Sequence, residues 1–251
     1  MNIWIAIVFG IIQGITEFLP VSSSGHLLLF GAVVGTEPQT FFTLLLHLAT
    51  MLTIILFYWN EITDCLKHPF SKHSICLLGA TVCTALIAFS LAKLPFVSSA
   101  VALGPCFIAT GVLLVLSSLT PRRTRPYKNI GYASALTAGI AQGLCVLPGL
   151  SRLGTTVSTF KMFGMNTDEA TKNSFLLAIP IVVGGIVLNL AKGIEKTSIG
   201  IVSCLAGFFA AFAVSCLSVL LLKKLIKLDK WWIFAPYLIA IGIATCIWQY
   251  A

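Results

Sequence analysis

A chain of 251 residues that is 58% hydrophobic and only 10% charged, with a mean hydropathy of +0.99, lies far outside the soluble range. Several uncharged runs reach the roughly 20 residues that cross a hydrocarbon core of about 30 Å, which implies a helical integral membrane protein and not a barrel of short alternating strands. The net charge of +8 sits in short loops between apolar runs, so it reads as a membrane-orientation signal and not as a nucleic-acid-binding surface.

The first run, 1–16, carries no charged side chain. It lacks a basic n-region and a clear cleavage site, so it is not read as a removable signal peptide. It breaks at Glu17-Phe18-Leu19-Pro20-Val21-Ser22-Ser23-Ser24-Gly25-His26 and resumes as a shorter apolar piece, 27–35. Spans are expected at 41–59, 74–92 and 96–119. The pattern of run, break and half-length run then recurs: 129–147, a polar island at Pro148-Gly149-Leu150-Ser151-Arg152-Leu153-Gly154-Thr155-Thr156, and 157–165. Three more spans follow at 173–191, 198–222 and 231–250, and Tyr58, Trp59, Trp231, Trp232, Trp248 and Tyr250 mark span ends as interfacial aromatics do. Each broken pair reads as a re-entrant hairpin that dips into the membrane and returns. Seven of the cysteines lie in apolar runs, where they behave as small hydrophobes, and no CxxC pair suggests a metal.

The two halves resemble each other. Gly10-Ile11-x-Gln13-Gly14 matches Gly139-Ile140-x-Gln142-Gly143, an offset of 129. Ser22-x-x-Gly25 matches Ser151-x-x-Gly154, and Gly35 matches Gly164, at the same offset. The expected fold is therefore an all-α polytopic membrane domain of six transmembrane helices plus two re-entrant hairpins. Residues 1–125 form a first repeat and 126–251 a second; three spans per half make the repeats inverted. Lys67 and Lys72, then Arg122, Arg123, Arg125 and Lys128, then Lys223, Lys224, Lys227 and Lys230 fall on one side by span count. The positive-inside rule makes that side cytoplasmic and both termini extracytoplasmic. Lys192, Glu195 and Lys196 run against this and are outnumbered.

The chemistry concentrates in the two islands. A charge at membrane depth costs about 2.5–3.5 kcal/mol on insertion scales, so Glu17 and Arg152 are expected to line one cavity. Gln13 lies one helical turn from Glu17, on the same face. Glu17 can bind a divalent cation, act as a general base or pair with Arg152. Ser22, Ser23 and Ser24 before Gly25 offer hydroxyls and free backbone N–H groups, an anion cradle, and at least one of them serves as an N-cap. His26 adjoins them and is a candidate acid, base or nucleophile; His47, alone in a span, is weaker. Arg152 supplies the planar fork that fits phosphate oxygens, with Ser151, Gly154, Thr155 and Thr156 beside it. No Walker loop, HExxH or GxSxG is present.

The run from Gln13 to His26 closely resembles the undecaprenyl-diphosphate phosphatase family, also called the bacitracin-resistance family, and the island at 148–156 is similar to its second motif. Leu153 stands where a serine is common, and Gln13 where a first glutamate is often found. The resemblance covers essentially the whole chain. It implies a phosphatase of the bacterial inner membrane that removes the terminal phosphate of undecaprenyl diphosphate to recycle the peptidoglycan lipid carrier. It further implies a divalent cation, Mg²⁺ or Ca²⁺, shared by Glu17 and substrate phosphate, a site open to the extracytoplasmic side, and bacitracin resistance. The family's catalytic positions fall on Glu17, Ser23, His26 and Arg152, and its supporting ones on Gln13, Ser22, Ser151 and Thr156. Ser23 is the expected nucleophile with His26 or Glu17 as base; His26 or water is the alternative attacking group. The expected partners are the polyprenyl diphosphate and membrane lipid, with no nucleic acid, and a homodimer is left open. The competing class is a transporter or flippase of the lipid carrier, whose architecture inverted repeats also suit.

Overall fold

The computed structural model describes residues 1–36, 39–94, 100–120, 126–191 and 199–250. Among them the chain is all-helical. Five helical segments are long and apolar enough to cross a membrane: α3 (Thr40–Phe57), α5 (Lys72–Leu91), α9 (Thr167–Ala191), α10 (Ile201–Leu228) and Trp231–Gln249, a 3₁₀ turn running into α11 (Ala235–Tyr250). The protein is thus a multi-pass membrane protein. The span expected over 96–119 corresponds to α6 (Leu103–Ser118), which has 16 residues and covers about 24 Å at 1.5 Å per residue, short of a full hydrocarbon core. The start of that expected span, with Arg122, Arg123, Arg125, Lys192, Glu195 and Lys196 of the orientation argument, lies outside the described residues.

Each sequence break separates two short helices. α1 (Ile3–Thr16) has 14 residues and α2 (Ser23–Val34) has 12. α7 (Tyr132–Leu144) has 13 and α8 (Arg152–Met162) has 11. None is long enough to span alone. The second helix of each pair begins four or five residues before the apolar pieces at 27 and 157, because a serine caps it: the Ser22 and Ser151 side chains accept from the N–H of Gly25 and Gly154. Gly35 and Gly164, paired in the sequence, both take positive φ at the far ends, 64° and 95°. α4 (Trp59–Lys67), which the sequence left as loop, is a short amphipathic helix on which no residue is buried, the form of a helix lying in the interface.

The packing is reciprocal. α1 lies most extensively against α10, α7 against α5, and α6 against α11. Glycines make the first two contacts close. A Cβ on Gly10 would stand 2.3 Å from the Gly207 carbonyl oxygen, and one on Gly139 would stand 2.5 Å from that of Ala80. In lipid, such backbone approach and hydroxyl pairing replace the hydrophobic drive. The Thr53 hydroxyl meets Ser215 across α3 and α10, and Thr84 donates to the Gly139 carbonyl at 2.9 Å.

Gly139→Leu is expected to force α7 off α5 and destabilise the protein by about 1–3 kcal/mol, seen as a lower thermal midpoint in detergent. Leucine at Gly184, where a Cβ meets nothing within 4 Å, leaves the midpoint in place. Equal midpoints for the two variants would refute the close α5–α7 contact.

Candidate active site

The two helix breaks face each other. Pro20 lacks an N–H, so α1 stops short of it, and Ser22 takes φ 70° and ψ 100° to turn the chain into α2. That left-handed backbone at a non-glycine residue stores strain of the kind that gathers at functional sites. In the second break Gly149 takes φ 95° and Ser151 starts α8. The first helical residues are then Ser23 and Arg152. Both helix N-termini, with their unpaired N–H groups and positive dipole ends, border one cavity of about 260 Å³.

Glu17 is the centre of this cavity and is 7% exposed. One carboxylate oxygen, Oε1, accepts from Nη2 of Arg152 across 135 positions of sequence. The other, Oε2, accepts from Ser23 Oγ at 2.6 Å and from Gln13 Nε2 at 3.0 Å. His47 adds a ring nitrogen, Nε2, 3.9 Å from Oε2. Its Nδ1 lies 2.9 Å from the Thr43 carbonyl. A carbonyl only accepts, so Nδ1 carries a hydrogen, and Nε2 is the ring nitrogen turned toward Glu17. The arrangement pairs a hydroxyl with a carboxylate base and sets a guanidinium and two helix N-termini around the same space, which suits an anionic, phosphorylated ligand.

The other expected residues divide. Ser22 and Ser24 line the cavity, 3.3 Å apart through their hydroxyls, as does Ser151. Gly25 instead lies against Phe107 and Gly149, and Gly154 packs beside Ser151 and Thr110. Thr155 and Thr156 are turned into the protein: Thr156 Oγ1 bonds the Arg152 carbonyl at 2.7 Å and Ser174 at 2.6 Å, and Thr155 Oγ1 bonds the Ser151 and Arg152 carbonyls. They brace α8 behind Arg152. His26 is not brought to the cluster. Its Nδ1 reaches back to the Ser22 carbonyl at 2.7 Å, its Nε2 meets Tyr237 Oη at 2.6 Å, and its ring stacks on Tyr237 and stands edge-on to Phe107. The turn toward Ser22 O, four residues back, carries the imidazole away from Ser23. Leu153 does line the cavity, so an apolar side chain occupies the place where a hydroxyl was expected.

Among the lining residues that sequence reasoning did not assign to the site are Thr84 and Gln142. Thr84 comes from the middle of a span and carries no local signal. Gln142 had one, since it stands 129 positions after Gln13. It is 4% exposed; its Nε2 donates to the Leu177 carbonyl at 3.2 Å, and its Oε1 has no protein partner. Among the described residues no three His, Cys, Asp or Glu side chains gather in a way that holds a metal. Glu17, with the serine hydroxyls that line the cavity, supplies the hard oxygen donors that a cation shared with phosphate would meet here.

Comparison with known proteins points the same way. The family model described as bacitracin resistance protein BacA matches residues 6–244. An undecaprenyl-diphosphatase of Carboxydothermus hydrogenoformans is 33% identical over 100% of this chain and 99% of its own. One of Christiangramia forsetii is 36% identical over the whole of both chains, at 100% each. One of Thermosipho africanus is 37% identical over 94% of this chain and 96% of its own.

Removing either member of the buried pair strands the other charge. Glu17→Leu and Arg152→Met are each expected to cost about 3–5 kcal/mol of stability in detergent, and the double variant much less than the sum. Additive losses would refute the pair.

Proposed function

The chain belongs to the bacitracin resistance protein BacA family, and from that premise we propose that it is an undecaprenyl-diphosphatase, hydrolysing undecaprenyl diphosphate to undecaprenyl phosphate and inorganic phosphate. The observation that carries the reading is the hydrogen bond from Ser23 Oγ to Glu17 Oε2, at 2.6 Å, beside Arg152 in a cavity bordered by two helix N-termini.

The terminal phosphate enters this cavity. Arg152 turns part of its fork from Glu17 to the phosphoryl oxygens, which supply the replacement anion. The N–H groups at the starts of α2 and α8 take the remaining charge, so phosphoryl transfer is driven by positioning and electrostatics. Ser23 Oγ attacks the terminal phosphorus, its proton passes to Glu17 Oε2, and the bond from that phosphorus to the bridging oxygen breaks; undecaprenyl phosphate leaves with that oxygen. Water then replaces the serine oxygen on phosphorus. Ser23 recovers its proton from Glu17, and both protons of the water leave with inorganic phosphate. His47, whose Nε2 lies 3.9 Å from the same carboxylate oxygen, orients that water. A divalent cation, Mg²⁺ or Ca²⁺, held by Glu17 and substrate phosphate, would supply further charge neutralisation. In this mechanism Glu17 and not His26 is the base, and His26 anchors the start of α2 through Ser22 and Tyr237.

The wider frame of this enzyme has six spans and two re-entrant hairpins, in inverted repeats at 1–125 and 126–251. Its supports are the reciprocal packing of α1 on α10 and α7 on α5, the matching serine caps and the matching positive-φ glycines. The loop charges support both termini on the extracytoplasmic side of the cytoplasmic membrane, and membership of the family supports a site open to that side.

Purified protein in detergent should release phosphate from undecaprenyl diphosphate with no membrane to cross, which a carrier protein would not do. Ser23→Ala should nearly abolish release, while Ser24→Ala costs less. Arg152→Lys keeps the charge but loses the fork and should lose about 100- to 1000-fold in turnover. Rapid-quench mass spectrometry should find phosphate on a Ser23 peptide; substantial turnover by Ser23→Ala with no labelled residue would replace serine attack by direct attack of water. Cysteine labelling at Ala251 and at Lys128 should report opposite sides of the membrane, and labelling from one side would overturn the span count.

A further inference from the structure

A cavity of about 570 Å³ at the lysine-rich ends of the helices is larger than the catalytic one and shares no residue with it. It lies where α3 and α10 end and where α4 and α9 begin. Three lysines and three acids face it: Lys172, Lys223 and Lys227, with Glu61, Asp168 and Asp229. Half of these charges are already matched. Lys172 Nζ lies 2.9 Å from Asp168 and 2.9 Å from Glu169. Asp229 Oδ1 is 3.2 Å from Nζ of the buried Lys161 and accepts from the Thr167 hydroxyl at 2.6 Å. Among the described residues no carboxylate pairs with Lys223 or Lys227, and no cation pairs with Glu61. Two ammonium groups and one carboxylate are left over.

Tyr58 adds a buried donor to the same wall. It is 4% exposed and lines the cavity, and among the described residues nothing hydrogen-bonds its hydroxyl. Burial, to which Asp168 and Glu61 add their charge, pushes the phenol above its usual pKa, so the hydroxyl keeps its hydrogen. A buried donor without an acceptor is costly, and an oxygen-rich ligand supplies the acceptor. Lys223 Nζ sits over the same ring, 5.4 Å from its centre, and 5.2 Å from that of Phe57, which holds one ammonium at the cavity. The depth is that of lipid headgroups. Two of the helices that end here are spans, the next residue, Trp59, is exposed at the start of the interfacial α4, and Phe57 and Ile226 add apolar walls.

We infer that this cavity seats the headgroup of a membrane phospholipid that carries both a phosphate and a primary ammonium, with Lys223, Lys227 and the Tyr58 hydroxyl on the phosphate oxygens and Glu61 on the ammonium. The occupant follows from the charges left over. A purely anionic phosphate satisfies the two lysines and Tyr58 but sets Glu61 against like charge. A quaternary ammonium neutralises Glu61 but has no N–H to donate. A primary ammonium on a phosphodiester does both. Seated there, the headgroup ties together the ends of α3, α4, α9 and α10, and it stabilises the folded protein as any ligand of the native state does. The site is separate from Glu17 and Arg152, and the inference stands or falls independently of the phosphatase reading.

The test varies the headgroup on the full-length protein, stripped of lipid in detergent. Native mass spectrometry and the thermal midpoint are read as phosphatidylethanolamine, phosphatidylcholine or phosphatidylglycerol with the same acyl chains is added. Phosphatidylethanolamine should bind about tenfold or more tighter than either of the others, the scale of one charge-assisted hydrogen bond, and should raise the midpoint most. Glu61→Leu should bring phosphatidylethanolamine down to the level of phosphatidylcholine and leave phosphatidylcholine where it was. Lys223→Met and, independently, the milder Tyr58→Phe should weaken all three lipids. Lys224→Met, next on α10 but outside the cavity, should weaken none. Midpoints without lipid monitor folding of the variants. Equal binding of the three lipids by the unmodified protein would overturn the headgroup site. Phosphatidylglycerol ahead of phosphatidylethanolamine, or equal losses in Lys224→Met and Lys223→Met, would reduce the cavity to a basic patch that draws anionic lipid at large. A Glu61→Leu protein that keeps its preference for phosphatidylethanolamine would refute the assignment of the ammonium. Free phosphoethanolamine should bind far more weakly than the lipid; displacement of the lipid by it at equal concentration would make the ligand a soluble phosphate ester and overturn the lipid.

Discussion

A carboxylate and a guanidinium cannot rest singly in a membrane interior, and the meeting of Glu17 with Arg152 constrains everything around it. Their carriers are 135 positions apart, at the breaks of two different hairpins. For the charges to meet, the breaks must meet. α1 must then lie on α10 and α7 on α5, with glycines at both contacts because only bare backbone approaches so closely. The pair is also incomplete as a purely structural device. Replacing a buried ion pair by apolar groups is often neutral or stabilising, so its retention at depth needs another reason. In the proposed mechanism the reason is the ligand. Glu17 already holds Ser23 and Gln13, and Arg152 keeps donors in reserve, so an incoming diphosphate can take the arginine without leaving the glutamate unsolvated.

The broken backbone carries the second constraint. In hydrocarbon every free N–H is costly, and a helix that starts mid-membrane exposes several. Ser22 and Ser151 each satisfy one of these groups. The rest border the cavity, where only a polar ligand can complete them. The strained φ of Ser22 fits this picture, since it sets the first turn of α2 so that Ser23 Oγ points to Glu17. Thr155 and Thr156 turn their hydroxyls to the carbonyls of Ser151 and Arg152, which fixes the start of α8 as Ser22 and His26 fix that of α2.

How much of this was legible in the sequence follows from what each residue does. The breaks, five of the six spans and the Glu17–Arg152 meeting were readable because a charge or a proline inside an apolar run is costly, and it stands there only where the backbone breaks or a partner waits. The helix starts at Ser23 and Arg152 were misplaced by several residues because hydropathy marks apolar content, whereas a helix begins at its cap. His26 looked catalytic through adjacency to Ser23. On a helix, direction outweighs adjacency, and its ring folds back to Ser22 and Tyr237. His47 reaches Glu17 from another helix altogether, as does Thr84 the cavity, and no local pattern encodes such an approach. α4 escaped notice because its charged and apolar residues alternate around a helix too short for a span.

The offset of 129 accounts for two similar frames making one asymmetric site. Ser23 and Arg152 stand at equivalent positions, each the first residue of its helix and each following a serine cap. Glu17 is matched by Val146, which also lines the cavity. The two breaks thus present equivalent helix starts to one cavity, while their side chains are complementary. A symmetric site would bring two carboxylates or two guanidiniums together, and like charges at such a distance cannot both stay ionised. Confining the carboxylate to one frame and the guanidinium to the other removes that conflict, and it leaves a hydroxyl at the position opposite the arginine, next to the carboxylate that can take its proton. Gln13 and Gln142 retain the older likeness: each is buried with an unpartnered amide oxygen, but only Gln13 has a carboxylate one turn away to receive its N–H.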